Sequence, residues 1–302
     1  MMLVQFLLCL SILTSAQAAT ISATQCDNAT ASAAPNIVFD GRVRANATVT
    51  DFDGTSGPFN PDFVKGENVS FSQLIKFPEG EIALFDSSVG AKAIEVTISD
   101  QSIFNPGGSN AQTAVRRAEL MPRGDLVADN VTTTGIKTLH FSIKPSADRP
   151  LNVSHEYLMV FLERADFAGN LFMLRTGTLI GSDGSTKNDL VLFGNTQNGT
   201  QTLFTTPFEK AAFNNFALRL DFTQNTIQVF QSTGGAPLVQ QTEPLPNDLS
   251  GNGDYHVGLN KNPTDPGADS LRSGFQESGI NEGMVYGSIF IEDNANSTVT
   301  LS

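Results

Sequence analysis

Two short segments of the sequence place a glutamate and several cationic side chains where strand alternation would gather them. Residues 114–121 (AVRRAELM) read as a strand with Arg117 and Glu119 on one face. Residues 138–144 (TLHFSIK) read as another strand, with His140 and Lys144 on one face. If both faces line the same concave sheet, a carboxylate lies among cations and could bind and cleave a glycan. The alternative is a solvated sheet face on which the charges only compensate one another.

The segment 155–163 (HEYLMVFLE) contains a second candidate carboxylate. Glu156 has the same strand parity as Leu158, Val160 and Leu162, a row that would normally face a core. Either Glu156 leaves that row at the strand end and enters a cleft, or it is a buried, paired carboxylate. Apolar neighbours would raise its pKa, which suits a general acid. The parity alone does not choose between these interpretations.

Other catalytic chemistries have less support. The only histidines are His140, His155 and His256, and none has H-x-H or H-E-x-x-H spacing. No G-x-S-x-G or phosphate-binding glycine loop is present. We therefore expect no catalytic metal and no cofactor, although a structural cation held by backbone and Asp oxygens stays open.

The elements that must position these residues are short strands. About thirteen runs rich in β-branched and aromatic residues are separated by Gly, Pro, Asn and Asp, which predicts an all-β sandwich or jelly roll. The predicted strands are Ile37–Val43, Ile82–Asp86, Ile94–Ser99, Ala114–Met121, Thr138–Lys144, Glu156–Glu163, Leu171–Thr176, Leu190–Phe193, Thr202–Thr205, Phe216–Phe222, Thr226–Phe230, Tyr255–Leu259 and Met284–Ile291. A hairpin turn is predicted at residues 223–225. No linker or repeat divides the chain, so one domain is expected from residue 19 to residue 302.

The first residues indicate export. Residues 1–18 carry no charge, contain an apolar run and end in Ala-Gln-Ala, as a signal peptide does. Seven N-x-[ST] sequons follow, at Asn28, Asn46, Asn68, Asn130, Asn152, Asn198 and Asn296. The mature chain would retain only Cys26, so no intramolecular disulfide is expected. We expect a secreted, extracellular glycoprotein.

The charge balance narrows the class of partner. The formal net charge is −13, which argues against nucleic acid and anionic membranes, because both select basic surfaces. The expected partner is a neutral or cationic polymer, and the protein is expected to be a monomer.

Five blocks in order resemble glycoside hydrolase family 131, a group of secreted fungal β-glucanases. They are RRAEL at 116–120, HEY at 155–157, YHVGLNK at 255–261, GFQESGINEG at 274–283 and YGSIFIED at 286–293. The resemblance runs from about Ile37 to Asp293. It implies a β-jelly roll with a cleft across its concave sheet, and hydrolysis of β-1,3-, β-1,6- and β-1,4-glucosidic bonds. Some members end in a cellulose-binding module, which is not seen here, so tight attachment to crystalline cellulose is not expected.

The resemblance also implies site residues. Glu119 and Glu156 match the likely catalytic carboxylates, and His256 matches a cleft histidine. The candidates for binding sugar hydroxyls are Arg117, His140, Lys144, Tyr157, Tyr255, Lys261, Gln276, Glu277 and Glu282. Glu119 and Glu156 would act as acid and base on the two sides of the glycosidic bond, with inversion as the preferred outcome.

Two alternative functions stay open from the sequence. Arg-x-Glu on a jelly-roll strand with a later Tyr-His also resembles polysaccharide lyases, which cut uronic-acid polymers. A glycan-binding wall protein without activity would fit the charged strand face equally well. Release of unsaturated products on glucuronan would indicate the lyase, and binding without release of reducing ends would indicate the wall protein.

Overall fold

The computed structural model describes residues 36–197, 199–295 and 298–302, and these form two packed antiparallel sheets in a jelly-roll sandwich. The predicted signal peptide, Cys26, and the sequons at Asn28, Asn198 and Asn296 lie outside the described residues. Within that part of the chain, no helix is long and apolar enough to cross a membrane.

Seventeen strands are present in chain order. They are β1 (Ile37–Asp40), β2 (Val43–Arg44), β3 (Ile75–Lys76), β4 (Ala91–Lys92), β5 (Ile94–Ser99), β6 (Arg116–Leu120), β7 (Ile136–Pro145), β8 (Glu156–Arg164), β9 (Asn170–Gly177), β10 (Asp189–Phe193), β11 (Thr202–Pro207), β12 (Asn214–Asp221), β13 (Thr226–Thr233), β14 (Val239–Gln240), β15 (Leu245–Pro246), β16 (Gly253–Lys261) and β17 (Asn281–Asp293). The helices are one α-helical turn, α1 (Phe71–Leu74), and 3-10 turns at Val49–Asp53, Ser87–Val89, Pro106–Gly108, Gly124–Leu126 and Ala128–Asn130.

The strands form a nine-stranded and a six-stranded sheet, with a small β2–β4 pair beside them. The larger sheet has the order β14-β13-β12-β7-β17-β5-β3, with β1 joined to β17 and β15 to β13. The smaller sheet has the order β11-β10-β9-β8-β16-β6. Every pairing is antiparallel. Greek-key crossovers of this kind give neighbouring strands that are far apart in sequence.

The core lies between the two sheets and follows the strand alternation. On β12, Phe216, Leu218 and Leu220 point into it, as their parity predicts. The turn at residues 223–225 joins β12 to β13 in register, with Asn225 at a φ of 54°, a conformation that Asn tolerates better than most residues. The predicted hairpin is therefore confirmed.

One predicted strand is wrong. Residues 82–86 form no strand but cross the outer face of the nine-stranded sheet, where Phe85 packs against Phe290. Their backbone is held by Ser288, whose Oγ accepts from Phe85 N and whose N donates to Asp86. The apolar run covers a sheet rather than joining one, a distinction that periodicity cannot make.

Candidate functional site

The outer face of the six-stranded sheet, here called the site face, carries the first predicted carboxylate. On β6, Ala118 and Leu120 enter the core, so Arg117 and Glu119 point to the opposite face. Arg117 donates from Nε and Nη2 to the two oxygens of Glu119, at 2.7 and 2.8 Å. Its Nη1 donates to Gln112 at 2.9 Å. The pair is a bidentate, fully hydrogen-bonded ion pair, the geometry in which a buried charge is best tolerated.

Glu119 is completely buried and ionised. Burial alone would raise its pKa, but the charge of Arg117 and the hydrogen bond from His256 outweigh burial and lower the pKa to about 2. Both of its oxygens already have protein partners. Glu119 is therefore a fixed negative charge over the whole pH range in which most proteins work.

His256 on β16 connects Glu119 to a third acidic residue. Its Nδ1 lies 2.7 Å from Glu119 Oε2, and its Nε2 lies 3.5 Å from Glu163 Oε2. The imidazole stacks on Phe161, with ring centroids 4.4 Å apart and planes 9° from parallel. Burial would lower the pKa of His256, but the bonds to Glu119 and Glu163 reverse that and raise it. A protonated ring held between two carboxylates is the result.

Glu163 is the accessible member of this row. Its side chain is 29% exposed, against 3% for His256 and none for Glu119. Because both carboxylates touch the same imidazole, their nearest oxygens lie no more than about 8 Å apart. The sequence prediction did not single out Glu163. Its signal was present in the parity it shares with Phe161, the residue paired with His256 in the sheet.

Glu156 does not lie beside Glu119, so the predicted acid–base pair of these two residues is wrong. The β6, β16 and β8 registers put Glu156 two strands from Glu119 and several residues along, roughly 15 Å between Cα atoms. Their bonds hold the two carboxylates apart. Glu119 bonds to His256 on one side, and Glu156 accepts from Arg175 on the far strand β9, at 3.1 Å.

The local structure of β8 resolves the parity question at Glu156. A bulge between Leu158 and Val160 shifts the register, so that Met159 and Val160 both enter the core. Before the bulge, the parity of Glu156 therefore belongs to the site face and not to the core.

Glu156 is 2% exposed and holds two loops in place. Besides Arg175, it accepts from the backbone N of Ile180 at 3.1 Å and from Asn262 Nδ2 at 2.6 Å. The buried, paired carboxylate is the correct one of the two interpretations given by the sequence.

His140 and Lys144 are on the other sheet, so the expectation that they share a face with Glu119 is wrong. Both lie on β7 in the nine-stranded sheet. His140 is buried on the outer face of that sheet, stacked on Phe290 and bonded to Glu292 at 2.8 Å. Lys144 pairs there with Glu81 at 2.5 Å. Two strands with the same polar pattern belong to opposite layers, and the pattern does not show which layer.

The tyrosines predicted to bind sugar hydroxyls belong to the core instead. Tyr157 is fully buried and donates to Glu282 at 2.7 Å. Tyr255 is 2% exposed and donates to the backbone O of Thr132 at 3.0 Å. Their hydroxyl groups are engaged within the protein, and the expectation that they line the cleft is wrong.

The remaining predicted residues form a network at the end of β16. Lys261 is fully buried and donates to Glu277 and Glu282, both at 2.6 Å. Gln276 donates to two backbone carbonyl groups, and Glu277 also contacts His155 at 2.6 Å. Burial would raise the pKa of Glu277, but its hydrogen bonds lower it to about 2. This network fastens the segment 262–280 to the sheet, which corrects the expectation that Lys261 and Glu282 contact sugar.

Neither metal ligands nor the largest cavities coincide with the site. In the residues described, no three or more His, Cys, Asp or Glu side chains are grouped to hold a metal ion. A cavity of about 580 Å³ lies beside β2 and is lined by Arg42, Phe52 and Arg123 among others, none of them a predicted site residue. The row of Glu119, His256 and Glu163 is therefore the arrangement best able to move protons.

Comparison with known proteins agrees with this architecture. Residues 37–297 match the family "Glycoside hydrolase 131 catalytic N-terminal domain". No curated protein sequence matches the chain.

Two solved structures are similar over nearly their whole length. One is the catalytic domain of a GH131 β-glucanase from Podospora anserina, with a TM-score of 0.69, 22% identity, and coverage of 88% of this chain and 98% of that one. The other is the catalytic domain of the glycoside hydrolase family 131 protein from Coprinopsis cinerea, with a TM-score of 0.65, 22% identity, and coverage of 88% and 97%. At this identity the structures establish the fold, and the family match establishes the enzyme class. The protein is a glycoside hydrolase, and the chain belongs to glycoside hydrolase family 131.

Proposed function

We propose that the protein is a secreted β-glucanase that cleaves β-1,3-, β-1,6- and β-1,4-glucan on the site face, through Glu163, His256 and Glu119. The observation that carries the proposal is the placement of two carboxylates on the two nitrogens of one imidazole. Glycoside hydrolysis needs one group that donates a proton to the leaving oxygen and another that activates water or attacks the sugar. Glu163 and His256 are the two members of the row with bonding capacity left for substrate.

The roles follow from burial and charge. Glu163 is the residue that substrate reaches, and it transfers the proton at the glycosidic bond. His256 supplies the second proton-transfer group, and its raised pKa keeps it charged at mildly acidic pH. Glu119 touches no solvent, so it acts through His256 by fixing the orientation and charge of the ring. Inversion is the proposed outcome, because the limit of about 8 Å between the carboxylates falls within the inverting range of roughly 6.5–9.5 Å.

Secretion is part of the proposal. It is supported by the charge-free first eighteen residues and by the exposure of the described sequons Asn46, Asn68, Asn130 and Asn152. Sequencing the N-terminus of protein recovered from culture medium tests it. A mature start near Ala19 is expected, and retention inside the cell with Met1 intact would contradict it.

Reducing-sugar release from laminarin, pustulan, lichenan and carboxymethylcellulose tests the activity. We expect release by wild type and a loss of at least about 100-fold in Glu163→Gln and His256→Asn. Glu156→Gln is the matched control, because it makes the same change in a carboxylate of the same strand, outside the row. If Glu163→Gln turns over laminarin at the wild-type rate, the assignment of this residue is wrong. NMR of the first-formed anomer distinguishes inversion from retention.

A further inference from the structure

The hairpin between β8 and β9 carries a phenylalanine that is doubly unfavourable for folding. Phe167 is 75% exposed, more than any other large apolar side chain given as exposed in the described residues. Its φ is +57°, in the left-handed region that bulky residues avoid because Cβ crowds the backbone. One exposed apolar residue is ordinary on a protein surface, but an exposed aromatic ring held in a strained backbone conformation is not.

The hairpin is built to hold this conformation. Arg164 and Asp166 form a bidentate pair at 3.0 and 2.9 Å, and Asp166 also accepts from the backbone N of Ala168 at 3.1 Å. Phe167 N donates to Arg164 O at 2.9 Å, and Arg164 N donates to Gly169 O at 2.9 Å. The ring of Phe167 is thus presented by a turn with few free backbone groups.

The chain places this ring close to the proposed catalytic row. Phe167 follows Glu163 by four residues, so the two Cα atoms lie within about 14 Å even for an extended chain. The closure of the turn by the Arg164–Gly169 hydrogen bond shortens that distance. A polysaccharide bound at Glu163 covers several sugar units and can extend to the hairpin.

We propose that Phe167 is a stacking platform for a pyranose ring of a β-linked glucan, at a subsite next to Glu163. The faces of β-glucosyl residues carry axial C–H groups, whose weakly positive hydrogens fit the negative face of an aromatic ring. Stacking recovers the free energy that exposure and backbone strain cost in the unbound protein. The inference rests on the proposed function, since it assigns part of the same cleft.

Substitutions at position 167 separate binding from stability. In Phe167→Asn the ring is lost but the left-handed conformation becomes easier, so we expect an unchanged or higher Tm together with a five- to tenfold higher KM on laminarin. Phe167→Tyr keeps a flat ring and should retain wild-type KM within about twofold. Phe167→Leu keeps apolar bulk without a flat face and should bind like Phe167→Asn. Val239→Asn, which removes an exposed apolar side chain from the nine-stranded sheet, is the control and should change neither KM nor kcat.

Direct binding distinguishes failure of this inference from failure of the proposed function. The Kd for laminarin is measured by affinity electrophoresis for each variant, in the Glu163→Gln background as well as in the active chain. A Kd for Phe167→Asn within twofold of the parent overturns the stacking platform, whatever the activity of wild type. Equal binding by Phe167→Leu also overturns it. If wild type releases no reducing ends but Phe167→Asn still weakens binding, the platform stands and the hydrolytic function falls.

Discussion

The charge of Glu119 should make a measurable, pH-dependent contribution to stability. Its pKa falls from 4.5 to about 2 in the folded protein, because Arg117 and His256 outweigh the effect of burial. Since each pKa unit is worth about 1.4 kcal/mol, ionisation of Glu119 stabilises the fold by about 3 kcal/mol above pH 5. A group with a lowered pKa contributes above its unfolded value, so this stabilisation is lost as pH falls from about 4.5 to 2.

The perturbation that tests this is Glu119→Gln, which keeps the shape of the side chain and resembles its protonated form. Urea unfolding of wild type and variant between pH 2.5 and pH 7 gives the difference in free energy of unfolding. We expect about 3 kcal/mol at pH 6–7, decreasing steadily below pH 4.5 as the wild-type carboxylate takes up a proton. Glu79→Gln makes the same chemical change on an exposed side chain and should cost less than about 0.5 kcal/mol at every pH.

Two results would refute the reasoning on Glu119. A difference below about 1 kcal/mol at pH 7 would mean that the buried ion pair stabilises no more than a surface pair does. A large difference that stays constant from pH 7 to pH 2.5 would mean that packing, and not ionisation, is what the substitution disturbs.

Three other outcomes are expected. Glu156→Gln should lower the free energy of unfolding by about 1–3 kcal/mol, because it weakens bonds that hold two loops, while kcat stays within about tenfold of wild type; a loss of activity without loss of stability would contradict this. Gly177→Ala should destabilise by more than about 2 kcal/mol in urea unfolding, since φ is +80° and an added Cβ would lie 1.9 Å from His155 O. The alkaline limb of kcat should lie above pH 6.5, because the pKa of His256 is raised, and should move to lower pH in any Glu119→Gln activity that remains; identical pH profiles would argue against the coupling.

The sequence by itself determined the fold class and one part of the site. Strand alternation and turn residues predict the all-β sandwich, because residues such as Phe216 and Leu218 repeat with the period of the pleat. The same alternation on β6 correctly placed Arg117 beside Glu119, since both positions lie on one strand. Local periodicity is enough wherever the relevant distance is set by a single element.

Tertiary structure decided which strands face each other. Lys144 and Glu119 have similar patterns but belong to different sheets, and only the strand order shows this. The bulge in β8 reverses the faces along one strand, so that Glu156 holds loops and Glu163, seven residues later, lies with His256. Register and layer are properties of pairing between distant segments, and no pattern within one segment contains them.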